Sequence, residues 1–111
     1  MSILTCLVQA KFMENVQQRQ YTAPGGAVTV AIDNMSLTNT SLESVVVSAN
    51  IVASGGAAGA SNKVLQDTTM SPGMRLEYLL QGQYLNEGDF VSTYADTASA
   101  VVMRINGRII P

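Results

Sequence analysis

A chain of 111 residues carrying a net charge of −2 is the size of one domain, and its basic residues, Lys11, Arg19, Lys63, Arg75, Arg104 and Arg108, are scattered singly. Phosphate recognition needs clustered lysine and arginine, so neither nucleic acid nor an anionic membrane surface is expected as a partner. Histidine is absent, which removes the commonest general base and metal ligand and makes Ser-His-Asp and Cys-His constellations impossible.

Hydrophobic residues make up 47% of the chain but aromatic ones only 5%, with no tryptophan, so Val, Ile, Leu, Met and Ala must fill the core. The six methionines read chiefly as core gap-fillers. Charged residues make up 13%, about half the ~25% of ordinary soluble domains. The surface is therefore built from Ser, Thr, Asn, Gln and Gly, and part of it is expected to be covered by something else. The single cysteine, Cys6, cannot form an intrachain disulfide, and its apolar setting reads as a small core residue. Residues 1–8 lack the charged start of a secretory signal, and no apolar stretch approaches the ~20 residues of a membrane helix, so a soluble chain is expected.

Taken in order, residues 1–20 read as an N-terminal arm or edge segment, with 7–19 strand-like or irregular and room there for one helical turn. A turn cluster, Ala23-Pro24-Gly25-Gly26, precedes the clearest strand, 28–33, where Val28, Val30 and Ile32 share one face. A polar turn is expected over 36–41. The next strand, 44–53, contains Val45-Val46-Val47, and three consecutive valines suggest coverage on both faces, by a partner or by a long loop. Residues 53–61 hold only Ala, Ser and Gly, which cannot pack a core, and read as a loop that is mobile unless a partner orders it. Strands over 63–70 and 74–80 flank Ser71-Pro72-Gly73, with Met74, Leu76 and Tyr78 on one face of the second. After a turn at 86–89 come strands over 89–95 and 100–110, with turn signals at 96–99 and at Asn106-Gly107. In the last strand Val101, Met103 and Ile105 oppose Val102, Arg104 and Asn106. Short strands at a spacing of roughly 8–12 residues specify a single all-β domain, residues 1–111, expected to be an antiparallel β-sandwich of the jelly-roll kind with about eight strands.

No candidate catalytic, cofactor-binding or metal-binding residue emerges, and an enzyme is not expected. Glu87 and Asp89 flank Gly88, but the full calcium-loop pattern is missing and the pair reads as turn chemistry. Residues 55–63 are glycine-rich yet lack the Gly-Lys-Ser/Thr ending of a phosphate loop. Asn34-Met35-Ser36 and Asn39-Thr40-Ser41 match the glycosylation acceptor pattern but read as polar connections.

An ordered series of short motifs adds a resemblance: Tyr21-Thr22-Ala23-Pro24-Gly25-Gly26, Ser36-Leu37-Thr38-Asn39-Thr40-Ser41, Pro72-Gly73-Met74-Arg75-Leu76-Glu77, Leu85-Asn86-Glu87-Gly88-Asp89, and a valine-rich ending around Asn106-Gly107. Over residues 20–110 the chain resembles the capsid decoration (cement, or staple) proteins of tailed phages, closest in kind to those of the epsilon-fifteen type of short-tailed Salmonella phage. Residues 1–20 fit the shared pattern less well. The resemblance implies a jelly-roll virion protein, made in the host cytoplasm and bound to the outer surface of an icosahedral capsid. It further implies a homodimer that clamps neighbouring major capsid protein subunits, with no cofactor and no small-molecule substrate. Two other readings stay open. One is a different virion part of similar fold, in tail, neck or fibre. The other is a small carbohydrate-binding sandwich, for which Tyr21, Tyr78, Tyr84, Tyr94, Phe12 and Phe90 are the available stacking residues.

For partner contact the candidates are the N-terminal segment 2–11, with Ser2, Ile3, Leu4 and Lys11; the loop 54–62, with Ser54, Gly55, Gly56 and Asn62; and the C-terminal Ile109, Ile110 and Pro111.

Overall fold

Alternating β-branched and apolar residues draw the chain into nine strands: β1 (Ile3–Phe12), β2 (Gln18–Thr22), β3 (Thr29–Asn39), β4 (Val45–Val52), β5 (Lys63–Met70), β6 (Arg75–Leu79), β7 (Tyr84–Leu85), β8 (Phe90–Ala95) and β9 (Val101–Ile110). The computed structural model describes residues 2–111. One 3-10 turn, Ala60–Asn62, is the sole helical segment among them.

The strands form two antiparallel sheets. The first runs β1-β9-β3-β6, with β7 also paired to β3; the second runs β2-β8-β4-β5. The chain changes sheet at every connection except β4 to β5 and β6 to β7. With β6 and β7 counted as one interrupted strand, this is the order of a jelly roll, two four-stranded sheets closed by interlocked Greek keys. The protein is thus an all-β antiparallel sandwich, the class its period-two pattern specifies.

The core lies between the sheets. Val30, Ile32, Met35 and Leu37 of β3 and Val101, Met103 and Ile105 of β9 meet Val45, Val47 and Ala49 of β4 and Val91 and Ala95 of β8. Met13, Met35, Met70 and Met103 are fully buried, and full burial of such a side chain contributes about 1.5–3 kcal/mol.

Several local expectations are corrected. Residues 36–39 continue β3 rather than turning, because the chain bends only after Asn39. That side chain is buried, donates to the carbonyls of Glu43 (2.8 Å) and Met70 (2.9 Å), and accepts from the Ser41 amide. Asn106-Gly107 is not a turn but the interior of β9. A Cβ on Gly107 would collide with the Ala31 carbonyl oxygen and approach Leu7 Cδ1 to 2.8 Å, so glycine is required there by close backbone approach. Cys6 is not a core residue: it is half-buried, opposite Asn106 on the outer side of the first sheet. The register shift after Cys6 turns Leu7 and Val8 to the core instead. Tyr78 leaves the face of Leu76 because a register shift opposite β3 and a left-handed backbone (φ 58°) place it in a bulge, and Leu79 takes the inward position. The strands flanking Ser71-Pro72-Gly73 do follow one another through a short turn, but that turn crosses between sheets.

Replacing Gly107 with alanine should destabilise the fold by about 1–3 kcal/mol through overpacking against β3. Thermal unfolding should show a midpoint lowered by roughly 4–8 °C per kcal/mol; an unchanged midpoint would show that β3 can retreat without cost.

Candidate interaction surface

Of the three segments read as partner-contacting, the C-terminal one meets parts of the other two at one end of the sandwich, while Asn62 of the loop lies over Asn50. Antiparallel register places Ile3 opposite Ile109 and Leu4 opposite Arg108, and on the other side of β9 Thr29 opposite Ile110. In the second sheet Thr22 pairs with Phe90 and Phe90 with Val52, just before the 53–62 loop. The short link from Thr22 to Thr29 joins these two rows. Ser2, Ile3, Leu4, Ile109, Ile110 and Pro111 therefore cluster at the same end as Ser54, Gly55 and Gly56. Lys11 does not: it lies near the other end of β1, opposite Met103.

Three loops at this end are knotted together by Asp89. Its carboxylate accepts the amides of Ser54 (3.0 Å) and Asn86 (2.9 Å), while its backbone carbonyl accepts the Ala23 amide (2.9 Å). Gly88 N–H donates to the Ala23 carbonyl at 3.1 Å. The Glu87/Asp89 pair thus contributes Asp89 to loop architecture, while Glu87 reaches over the backbone of Gly25.

The loop expected to be mobile is held by side chains. Asn50, 1% exposed, donates to the Gly59 carbonyl (2.9 Å) and to Asn62 Oδ1 (2.7 Å). Asn62 in turn accepts the Gly59 amide and donates to the Ala57 carbonyl. Gly56 sits directly over Val52. This loop covers the Asn50–Val52 end of β4, whereas Val46, in the valine run, stays half-buried. Beside it Arg19 lies 3.7 Å above the Phe90 ring, a cation–π contact, and Gln17 donates to Ser92 Oγ at 2.7 Å. The part of the second sheet's outer face around Asn50, Val52, Phe90 and Ser92 is therefore clothed by its own chain, while Val46 and Tyr94 stay half-buried.

Between the edge strands β1 and β2 lies a polar cluster. Lys11 Nζ donates to Glu14 Oε2 (2.7 Å) and Gln20 Oε1 (2.9 Å), and Gln20 Nε2 donates to Glu14 Oε1 (2.8 Å) and to Thr93 Oγ1 (3.0 Å). Its register position opposite core-facing Met103 turns Lys11 inward, the device by which an edge strand resists pairing with foreign strands. Burial raises the Glu14 carboxyl pKa, but hydrogen bonds from Lys11 and Gln20 outweigh it and hold the group below its usual 4.5.

The outer face of the first sheet is bare. Across it run Leu4, Arg108, Ala31 and Tyr84 in one row and Cys6, Asn106 and Asn34 in the next, followed by Arg104 beside Ser36 and by Phe12, Val102, Thr38 and Arg75. Leu4 is 80% exposed and Tyr84 65%. A shallow groove of 330 Å³ is lined by Leu4, Thr5, Cys6, Asp33, Arg104, Asn106 and Gly107. Arg104 and Tyr84 were not among the contact candidates; the alternation of Arg104 against Val101, Met103 and Ile105 marks it as outward, but only strand order sets it beside Leu4 and Cys6. Among the described residues no group of three or more His, Cys, Asp or Glu side chains converges as metal ligands, and no helix is long and apolar enough to cross a membrane.

Two outcomes follow for these polar contacts. Asp89→Ala leaves two loop amides without their acceptor, which costs about 1–3 kcal/mol; denaturant titration should show a lowered midpoint with an unchanged slope. Because the carboxyl of Glu14 ionises more readily when folded, its contribution is complete above pH 4.5 and fades as pH falls below that value. The midpoint gap between the parent protein and Glu14→Gln should therefore narrow on acidification from neutral pH, and a gap independent of pH would exclude this role.

No protein-family model, curated protein or solved structure matches this chain.

Proposed function

We propose that the protein is a structural virion component, a decoration protein that binds the outer surface of an icosahedral phage capsid and clamps neighbouring major capsid subunits. The observation that carries this reading is the shape and finish of the sandwich. It is a slab measuring 43 × 27 × 18 Å between Cα extremes, with one broad sheet face partly covered by its own loop and the other left open. An open face of that footprint exceeds the ~800 Å² per partner of a standard interface. The ordered motif series between residues 20 and 110 supports the same reading, and so does a surface with few charges, suited to polar, wet contacts.

The physics of such a role asks little of any single contact. A protein that binds the assembled lattice but not free subunits stabilises the lattice by mass action. Two copies joined as a dimer would engage neighbouring subunits together, so that the second contact becomes intramolecular and weak interfaces suffice. The jelly roll supplies a rigid body, and the free edges of β5 and β6 supply backbone groups for pairing with a second copy or a shell segment.

Purified protein mixed with expanded shells lacking decoration should cosediment at hundreds of copies per particle and raise the temperature at which the shells burst. Saturation at about a dozen copies would assign it to the tail or neck instead, and no binding would rule out the capsid role.

A further inference from the structure

The two outer faces of the sandwich differ in a way that selects one of them for docking. On the second sheet Asn50 and Val52 lie beneath the 53–62 loop, Phe90 beneath Arg19 and Ser92 beside Gln17. On the first sheet nothing covers Leu4, Tyr84 or the groove beside them.

Charge then singles out one residue on the open face. Arg108 Nε is shared between both Asp33 oxygens (3.1 and 3.2 Å), and Arg75 is paired with Glu77. Elsewhere Lys11 pairs with Glu14, Lys63 with Asp67, and Arg19 lies on Phe90. Arg104 alone among the described basic side chains has neither a carboxylate nor a ring. Its Nε donates to Asn106 Oδ1 at 3.2 Å, which steadies the guanidinium while leaving its terminal amino groups free. It stands on β9, the second strand of four, with β1 on one side and β3 on the other.

The geometry points to the outer face of the β1-β9-β3-β6 sheet as the docking surface, with Arg104 as the anchor for an unpaired aspartate or glutamate carboxylate on the partner protein. A held guanidinium offers the planar, two-pronged donor that a carboxylate fits. Leu4, which lines the same groove, and Phe12, opposite Val102 two residues along β9, can exclude water from the pair, the arrangement in which arginine becomes an energetic centre of an interface. A second copy docking face to face through the centre would set Arg104 against Arg104, which disfavours a self-interface here. Asp33, Glu77 and the net charge of −2 count against a polyphosphate ligand.

That the partner is a shell subunit rests on the function proposed above. The test measures binding of the parent protein, Arg104→Gln, Arg104→Lys and, as a control on the other sheet, Lys63→Gln to undecorated shells, with thermal melting to verify folding. The parent and the Lys63 variant should bind alike, Arg104→Gln roughly tenfold or more weakly with a shallower salt dependence, and Arg104→Lys in between. If the parent binds and Arg104→Gln binds equally well, the anchor is wrong while the capsid role stands. If the parent does not bind, both fall.

Discussion

The last strand, β9, must be hydrogen-bonded along both edges at once. Its neighbours are β1 from the beginning of the chain and β3 from the middle, and its inward side chains Val101, Met103 and Ile105 form the centre of the core. This double pairing fixes where the two termini lie, because Ile3 and Ile109 become neighbours. It also sets the outward row that includes Arg104, Asn106 and Arg108. Gly107 is where the constraint is tightest, since β3 passes so close that no side chain fits.

Polar residues then finish what hydrophobic pairing begins. Asn39, Asn50, Asp89 and Glu14 each satisfy groups on a different loop or edge, and no buried side-chain nitrogen or oxygen among the described residues lacks a partner. In a protein with so few charges, amide side chains share this work with two carboxylates. The consequence is an asymmetric slab, with one face partly covered by its own chain and the other open.

Much of the fold was legible in the amino-acid pattern wherever alternation runs unbroken. The strands over 63–70, 89–95 and 100–110 fall within a residue of their observed bounds. Legibility failed at bulges. Register shifts within β1 (after Cys6 and after Val8) and within β2 (after Arg19) destroy period two, so the N-terminal segment resembled an arm, and Cys6 resembled a core residue. β7 has only two residues and leaves no periodic signal. Of the candidate surface, the termini and the 54–62 loop were readable as unpacked ends of elements. The hold of Asn50 on that loop was not, because alternation along β4 says nothing of which groups an outward asparagine reaches in the loop that follows. The isolation of Arg104 among paired charges was hidden because its neighbour Arg108 meets Asp33 only through strand pairing.

Placing the C-terminal strand in the middle of a sheet also has a price during synthesis. A chain emerging from the ribosome N-terminus first carries β1 and β3 into solution with their inner edges unsatisfied until residues 101–110 follow. A product truncated before that point leaves the facing edges of β1 and β3 open and lacks the core side chains Val101, Met103 and Ile105, features that promote aggregation. Arrival of residues 101–110 is thus the step that closes the first sheet.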